Sequence, residues 1–253
     1  MLSNRRIVII GAGHVGTHCA AALSFQNICD EIVFIDRDKE KEKSQAMDLA
    51  DSVAFLQSAP VIRVGDYKDC EDADIIVIAA GVPRLPGQTR LDTLGASVEC
   101  IKDVVENLKQ VKINGIVITI TNPADIIADY VRKGLDMPKN QVFSTGTSLD
   151  TARTRRTVAD LCNVDPRSVL AFAMGEHGDS SMVPFSHMTI FGKPYKEFVS
   201  ERVSLTYCSN SAMDSNVSPS SRAEQRRSTV MERNLRSSIK VRTANGAVGM
   251  FSP

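Results

Sequence analysis

The sequence predicts an α/β protein built on a doubly wound parallel sheet, followed by a smaller α+β domain. Two observations lead to this prediction. Short apolar runs alternate with helical stretches over residues 6–144, and a glycine-rich turn joins the first run to the first helix. The runs are apolar at nearly every position, which is typical of parallel strands covered on both faces. Strand–helix alternation of this kind builds a parallel sheet with right-handed crossovers.

The elements follow one another in a regular order. Strands are predicted at the apolar runs Arg6–Ile10 (RIVII), Glu31–Ile35 (EIVFI), Ile62–Val64, Asp74–Ala79 (DIIVIA), Ile116–Ile120 (IVITI) and Val142–Ser144. Helices are predicted between them, where apolar residues recur at helical spacing or a charged run favours a solvated helix. These helices are His14–Phe25, Lys39–Ala50, Ser97–Val111 and Ile126–Gly134. The charged helix over 39–50 is expected to be solvated.

Composition argues against several classes of partner. The 253 residues carry 30 basic and 30 acidic side chains, and this balance gives no reason to expect a nucleic acid or an anionic membrane surface as partner. A membrane-spanning helix needs about 18 consecutive apolar residues, and the sequence has no such run. The six cysteines are scattered without a CxxC pair, so we expect reduced thiols and a cytoplasmic location.

The glycine-rich turn predicts a dinucleotide site. It has the pattern GxGxxG, directly follows the first strand and opens the first helix, and Asp36 lies 20 positions after its last glycine. This is the spacing of the Rossmann fingerprint, in which a helix N-terminus receives the pyrophosphate and an acidic residue binds the ribose 2′-OH. A carboxylate there favours NAD over NADP, although the neighbouring Arg37 weakens the preference. The candidate cofactor-binding residues are Gly11, Gly13, His14, Val15, Gly16 and Asp36.

Four further motifs follow in order along the chain. They are Ala80–Arg90 (AGVPRLPGQTR), Thr121-Asn122-Pro123, Ser144–Arg153 (STGTSLDTAR) and Met174–Ser180 (MGEHGDS). Together with the glycine turn they resemble the lactate/malate dehydrogenase family over about residues 5–200. The resemblance implies an NAD-dependent oxidoreductase of the L-lactate dehydrogenase type, which transfers a hydride between NADH and a small 2-keto acid (pyruvate to L-lactate) in glycolysis. It also implies a homo-oligomer, either a dimer or a tetramer, and no metal.

The chemistry assigns roles within these motifs. His177 is the candidate acid–base residue, because the unperturbed pKa of histidine is about 6.5. Asp150 would hold the other ring nitrogen, and Arg153, three residues later on the same helix face, would bind the substrate carboxylate with its planar fork. Asp150 and Arg153 could instead form a simple ion pair on a helix surface. Arg90 would polarise the carbonyl of the substrate. Asn122 would orient the substrate oxygen and line the nicotinamide site, with Gly81 also at the cofactor.

Arg84 leaves the identity of the acid open. It lies six residues before Arg90, where the resemblance places a residue that faces the side chain of the substrate. An arginine there could pair with a second carboxylate, as in malate or oxaloacetate, whereas the histidine motif looks more like the lactate branch. Arg84 could also point to solvent from a mobile loop. Malate dehydrogenase activity is therefore the alternative.

The resemblance ends near residue 200. Residues 201–253 carry eight basic and four acidic side chains, 11 serines and a single lysine, and we could match none of this stretch to the family. The predicted domains are an NAD-binding Rossmann domain over 1–143, a truncated α+β substrate domain over 144–200, and a poorly packed tail over 201–253. An out-of-frame reading or a divergent tail would explain the change. The chain could then be an active enzyme, an inactive NAD-binding product or an NAD-sensing module.

Overall fold

The structure, a computed structural model that describes residues 5–81, 94–178 and 180–200, divides into two units between Gly146 and Thr147. The first unit contains six strands, which are β1 (Arg6–Ile10), β2 (Glu31–Ile35), β3 (Val61–Val64), β4 (Ile75–Ile78), β5 (Ile116–Thr119) and β6 (Val142–Ser144). All neighbours are parallel, in the order β3-β2-β1-β4-β5-β6. This is the doubly wound order of a dinucleotide-binding fold, with the switch point between β1 and β4.

The helices of the first unit connect these strands. They are α1 (His14–Phe25), α2 (Lys39–Val53), α3 (Leu94–Leu108) and α4 (Ala124–Gly134), with a 3₁₀ turn at Tyr67–Cys70. The predicted helix over 97–111 begins and ends three residues earlier in the structure, and the 3₁₀ turn was not predicted. No helix in the described ranges is long and apolar enough to cross a membrane.

Alternate side chains of each strand enter two separate cores. Ile7 and Ile9 of β1 pack on the face covered by α1 and α2, whereas Val8 and Ile10 pack on the face covered by α3 and α4. All four side chains are at most 4% exposed. Burial on both faces explains why β1 is apolar at successive positions rather than at every second one.

A network of ion pairs joins the first three strands at one end of the sheet. Glu31 of β2 accepts hydrogen bonds from Arg6 Nε at 2.6 Å and from Arg63 Nε at 2.7 Å. Burial raises the pKa of the Glu31 carboxyl, but the bonds from the two arginines outweigh it, and the net pKa lies below the ordinary value. Glu31 is therefore ionised at neutral pH, and its charge contributes to the pairing of β1, β2 and β3.

The second unit contains a long helix and a small antiparallel sheet. Helix α5 (Ser148–Cys162) is followed by β7 (Val169–Leu170), β8 (Thr189–Ile190) and β9 (Lys193–Pro194), which pair in the order β7-β8-β9. The core of this unit lies between α5 and the sheet, and its most buried members are Val158, Cys162, Met188 and Ile190. A helix packed on an antiparallel sheet agrees with the predicted α+β class for this part of the chain.

Candidate functional site

The glycine turn has the geometry that its spacing predicts. Gly11 has φ +109°, and a Cβ there would lie 2.6 Å from the backbone nitrogen of Ala80. A Cβ at Gly16 would lie 2.0 Å from the carbonyl oxygen of Gly11, so α1 approaches β1 too closely for any side chain. The first and third glycines are therefore required by the fold itself.

Gly13 differs from these two, because contacts among the described residues do not require a glycine there. Of the atoms that the structure describes, a Cβ at this position would meet only Lys41 Nζ within 4 Å, at 3.8 Å. Gly13 is the N-cap of α1, and the first turn of that helix carries no acidic side chain. The turn thus leaves open space in front of helix N–H groups, with one ammonium beside it. This arrangement suits a pyrophosphate.

Asp36 follows β2 and helps to shape the turn. Its Oδ2 accepts a hydrogen bond from the backbone N–H of Ala12 at 2.7 Å, and its Oδ1 accepts from the N–H of Asp38 at 3.0 Å. Lys41 Nζ lies 3.7 Å from Oδ2. Each carboxylate oxygen retains further acceptor capacity, which a ribose hydroxyl can use. The carboxylate is therefore both a structural part of the turn and a candidate ribose ligand.

Glu42 supports Asp36 and was missed by the sequence analysis. The helix over 39–50 was expected to be solvated, but Glu42 is only 2% exposed. Its Oε1 accepts a hydrogen bond from the backbone N–H of Asp36 at 3.0 Å, and Lys39 Nζ lies 2.9 Å from its Oε2. A buried carboxylate needs such partners. The sequence did not indicate that Glu42 is buried, because it lies in a run of charged residues that does not show which side chain faces the protein interior.

The ends of β4 and β5 approach each other at Gly81 and Thr121. Thr121 Oγ1 donates to the carbonyl oxygen of Ala80 at 2.5 Å, and a Cβ at Gly81 would lie 2.9 Å from Thr121 Cγ2. Asn122 follows directly and is exposed. Gly81 and Asn122 therefore lie at the carboxyl ends of neighbouring parallel strands, the edge where such sheets hold ligands.

In the second unit the structure brings His177 and Asp150 together. His177 Nδ1 lies 2.6 Å from Asp150 Oδ2, and the two side chains are 10% and 6% exposed. Asp150 lies in the first turn of α5, and His177 lies in the loop after β7. A carboxylate at this distance selects the tautomer with the proton on Nδ1 and stabilises the imidazolium.

Arg153 lies beside the same carboxylate. Its Nη1 is 3.6 Å from Asp150 Oδ1, and its side chain is 24% exposed. Because Asp150 is nearly buried and already binds His177, the two residues are not the simple surface ion pair considered as an alternative. One helix turn therefore presents a carboxylate that orients the histidine and a guanidinium for an anion.

The loop that carries His177 is closed at its base. Met174 and Met182 exchange two backbone hydrogen bonds, of 2.8 and 2.9 Å. Within the loop, Gly175 has φ +92° and Ser180 Oγ donates to Glu176 Oε2 at 2.7 Å. Thr147, the N-cap residue of α5, and Thr151 within α5 also bind the segment between β7 and the loop. The sequence gives no local signal for these bonds, because the partners of the two threonines are 26 and 22 residues away.

Two predicted substrate residues lie outside the described residues. Arg84 and Arg90 fall within 82–93, and the 201–253 tail is likewise not described. In the part of the chain that is described, no group of three or more His, Cys, Asp or Glu side chains is arranged to hold a metal ion.

The strand order, the glycine turn and Asp36 together define a dinucleotide-binding protein. Residues 5–144 match the model of the lactate/malate dehydrogenase NAD binding domain, and residues 147–218 match the α/β C-terminal domain of the same family. The chain belongs to the lactate/malate dehydrogenase family, and NAD is its cofactor. The second match extends past residue 200, where the predicted tail begins, and the domain boundaries stay predictions.

Relatives of known name agree with this family. The chain is 42% identical over 200 residues to L-lactate dehydrogenase 3 of Bacillus cereus, covering 79% of this chain and 63% of the relative. Among solved structures, it is similar to minor L-lactate dehydrogenase of Enterococcus mundtii (32% identity, TM-score 0.80, 97% of this chain and 70% of that chain). It is also similar to Cryptosporidium parvum malate dehydrogenase (27% identity, TM-score 0.79, 96% and 69%). The chain thus spans less than two thirds of the length of its Bacillus relative.

Proposed function

We propose that the protein is an NAD-dependent 2-hydroxy-acid dehydrogenase that reduces pyruvate to L-lactate. The observation that supports this most directly is the hydrogen bond between His177 and Asp150. A nearly buried imidazole oriented by a nearly buried carboxylate is an acid–base device, and the chain carries it together with a dinucleotide turn. The lactate dehydrogenases among its relatives support the choice of acid.

The residues divide the work of the reaction. NADH, held by the glycine turn and Asp36, would supply the hydride for C2 of the keto acid. His177 donates a proton to the C2 oxygen from Nε2, since Nδ1 is engaged by Asp150. The Asp150 carboxylate stabilises the imidazolium before that transfer. Arg153 holds the C1 carboxylate through charge-assisted hydrogen bonds, and Arg90 polarises the carbonyl.

Turnover tests this proposal. Oxidation of NADH should be measured with pyruvate for the full chain and for His177→Ala. The substitution should lower turnover by roughly 100- to 10,000-fold, the usual value of a positioned proton transfer, with little change in NADH affinity. His187→Ala is the matched control, because His187 is also a histidine of the second unit, lies in the short 3₁₀ turn Phe185–His187 and is exposed. Wild-type turnover in His177→Ala would remove this residue from the mechanism.

Malate dehydrogenase activity is the second candidate. It is favoured by Arg84 and by the similarity to a malate dehydrogenase structure. A second carboxylate paired with Arg84 contributes about 1.5–3 kcal/mol, which is roughly 10- to 150-fold in kcat/KM. Arg84→Gln should therefore lower kcat/KM for oxaloacetate and raise it for pyruvate, because an unpaired guanidinium no longer opposes the methyl group. The malate reading would be contradicted if the wild type preferred pyruvate and Arg84→Gln left the ratio of kcat/KM for oxaloacetate and pyruvate unchanged. Lactate would then be the product.

Measuring both NADH binding and turnover distinguishes an active dehydrogenase from an inactive chain that only binds NAD. Tight NADH binding with no turnover of either acid would contradict the proposed reaction and leave NAD binding as the function of this chain. The homo-oligomer and the cytoplasmic location stay predictions, which sedimentation and fractionation would test.

A further inference from the structure

The N-cap residue of α5 and two side chains within this helix bind the main chain of the segment that leads to the His177 loop. Thr147, Thr151 and Arg155 are spaced four residues apart, so they lie one above another on the helix. Thr147 Oγ1 donates to the carbonyl oxygen of Ala173 at 2.7 Å, and the N–H of Ala173 donates to Thr151 Oγ1 at 2.9 Å. Arg155 Nε donates to the carbonyl oxygen of Ala171 at 3.0 Å.

The segment needs these bonds because it belongs to no strand. Residues 171–173 lie between the end of β7 and the paired Met174, and Ala171 and Ala173 are 1% and 6% exposed. Buried main-chain groups require partners, and side chains of α5 supply them here. The small side chains of the two alanines also allow α5 to come close enough for a threonine hydroxyl to reach the backbone.

Thr147 is diverted from a more common role. It is the N-cap residue of α5, where a threonine usually accepts a hydrogen bond from an N–H of the first turn. In this structure its side chain makes no such bond and donates to Ala173 instead. The hydroxyl therefore binds the neighbouring segment rather than its own helix.

The first turn of α5 binds both the 171–173 segment and the ring of His177. Asp150 lies between Thr147 and Thr151 and binds His177, which follows Ala173 by four residues. We propose that Thr147 and Thr151 are positioning residues: by holding both main-chain groups of Ala173, they keep the His177 ring at hydrogen-bonding distance from Asp150. This inference rests on the proposed function of that pair, but it can be tested without turnover.

Thr151→Val is the decisive variant. It keeps the volume of the side chain but removes the acceptor for the Ala173 N–H, which must then move to find water. Because a displacement of about 1 Å can cost about 100-fold in rate, we expect kcat to fall roughly 10- to 100-fold. The Kd for NADH should stay close to the wild-type value, since the glycine turn belongs to the first unit. Thr151→Ser, which restores the hydroxyl, should recover most of kcat.

Thr157→Val is the matched control. Thr157 lies on the same helix, is 1% exposed, and its hydroxyl has no hydrogen-bond partner within residues 5–81, 94–178 and 180–200. The same chemical change at Thr157 should leave kcat near that of the wild type. Equal kcat values for Thr151→Val and Thr157→Val would overturn the proposal, as would a failure of Thr151→Ser to recover activity.

Proton NMR tests the positioning role of the two threonines without measuring turnover. A histidine Nδ1 proton held against a carboxylate gives a strongly downfield resonance, which can be assigned to His177 by its loss in His177→Gln. The resonance should be present in the wild type and in Thr157→Val, and broadened or lost in Thr151→Val. Its persistence in Thr151→Val, or its absence from the wild type, would contradict the positioning role. If the wild type turns over neither acid, the proposed function fails and this spectrum alone decides the inference.

Discussion

Replacing Asp36 with asparagine should change both the affinity and the selectivity for the cofactor. Both carboxylate oxygens of Asp36 accept backbone N–H groups, from Ala12 at 2.7 Å and from Asp38 at 3.0 Å. An asparagine of the same shape has only one oxygen, so its amide must face one of the two N–H donors. The substitution also removes the negative charge that would bind the ribose 2′-OH of NADH and repel the 2′-phosphate of NADPH.

The expected magnitude follows from these two changes. A hydrogen bond to a charged group contributes about 1.5–3 kcal/mol and a neutral one about 1 kcal/mol, so NADH binding should weaken by roughly 10-fold. Two charges about 4 Å apart near a protein surface repel by up to about 4 kcal/mol before salt screening, so NADPH binding should strengthen by roughly 10-fold or more. Lys41, which lies 3.7 Å from Asp36 Oδ2, adds attraction for a 2′-phosphate. The ratio of the two affinities should therefore move by roughly 100-fold.

Fluorescence titration of NADH and NADPH, at one salt concentration, measures both affinities. Asp38→Asn is the matched control: it removes the same charge two residues away, and asparagine can still cap α2, as Asp38 does by accepting from the N–H of Lys41. The control should leave the affinity ratio close to that of the wild type. If Asp36→Asn weakened both cofactors by the same factor, the carboxylate would shape the glycine turn without reading the ribose, and the reasoning would be refuted.

Three further predictions concern the fold around the sites. Gly16→Ala should destabilise the protein by about 2 kcal/mol or more, because the new methyl group would overlap a backbone carbonyl, whereas Gly13→Ala should keep the stability in urea and weaken NADH binding by filling the open space. Glu31→Gln should lower the free energy of unfolding by about 1.5–3 kcal/mol at pH 7. Because the folded pKa of Glu31 is depressed, the difference should be complete above its unfolded pKa and shrink as the pH falls through the folded value; an unchanged difference at acid pH would exclude the ion pairs as its source. Thr157→Val should raise the free energy of unfolding by about 1 kcal/mol, because it removes a buried hydroxyl that has no hydrogen-bond partner among the described residues. A lower free energy of unfolding measured by calorimetry would contradict this prediction.

Sequence periodicity was most reliable for the strands of the central sheet. Arg6–Ile10 and Glu31–Ile35 have the observed bounds, because burial on both faces makes each strand apolar at every position after its charged first residue. Helix ends were harder to predict. Helix α3 starts at Leu94, before a glycine that argues against a helix, and α4 starts at Ala124, directly after a proline. The glycine has a low helix propensity, which favours a later start for α3, whereas the proline before α4 is common at helix starts and was not used to place that end.

Some residues of the candidate site could be predicted from the sequence, and others could not. Histidine, aspartate and the glycines could be found because their chemistry and spacing are local properties of the sequence. Thr147, Thr151 and Glu42 could not, since a threonine near a helix start predicts a cap and a glutamate in a charged helix predicts exposure. Their actual partners are main-chain groups brought near only by the fold.

The closed base of the His177 loop limits how the chain can change in length. Seven residues separate Met174 from Met182, whose backbones are bonded to each other, and Ala173 is held from the side by α5. An inserted or deleted residue within 175–181 cannot be absorbed at either end, so it would rotate His177 away from Asp150. The turn at Asp165–Ser168 is exposed for most of its length and has no such double anchor among its described contacts, so related chains should differ in length there far more readily.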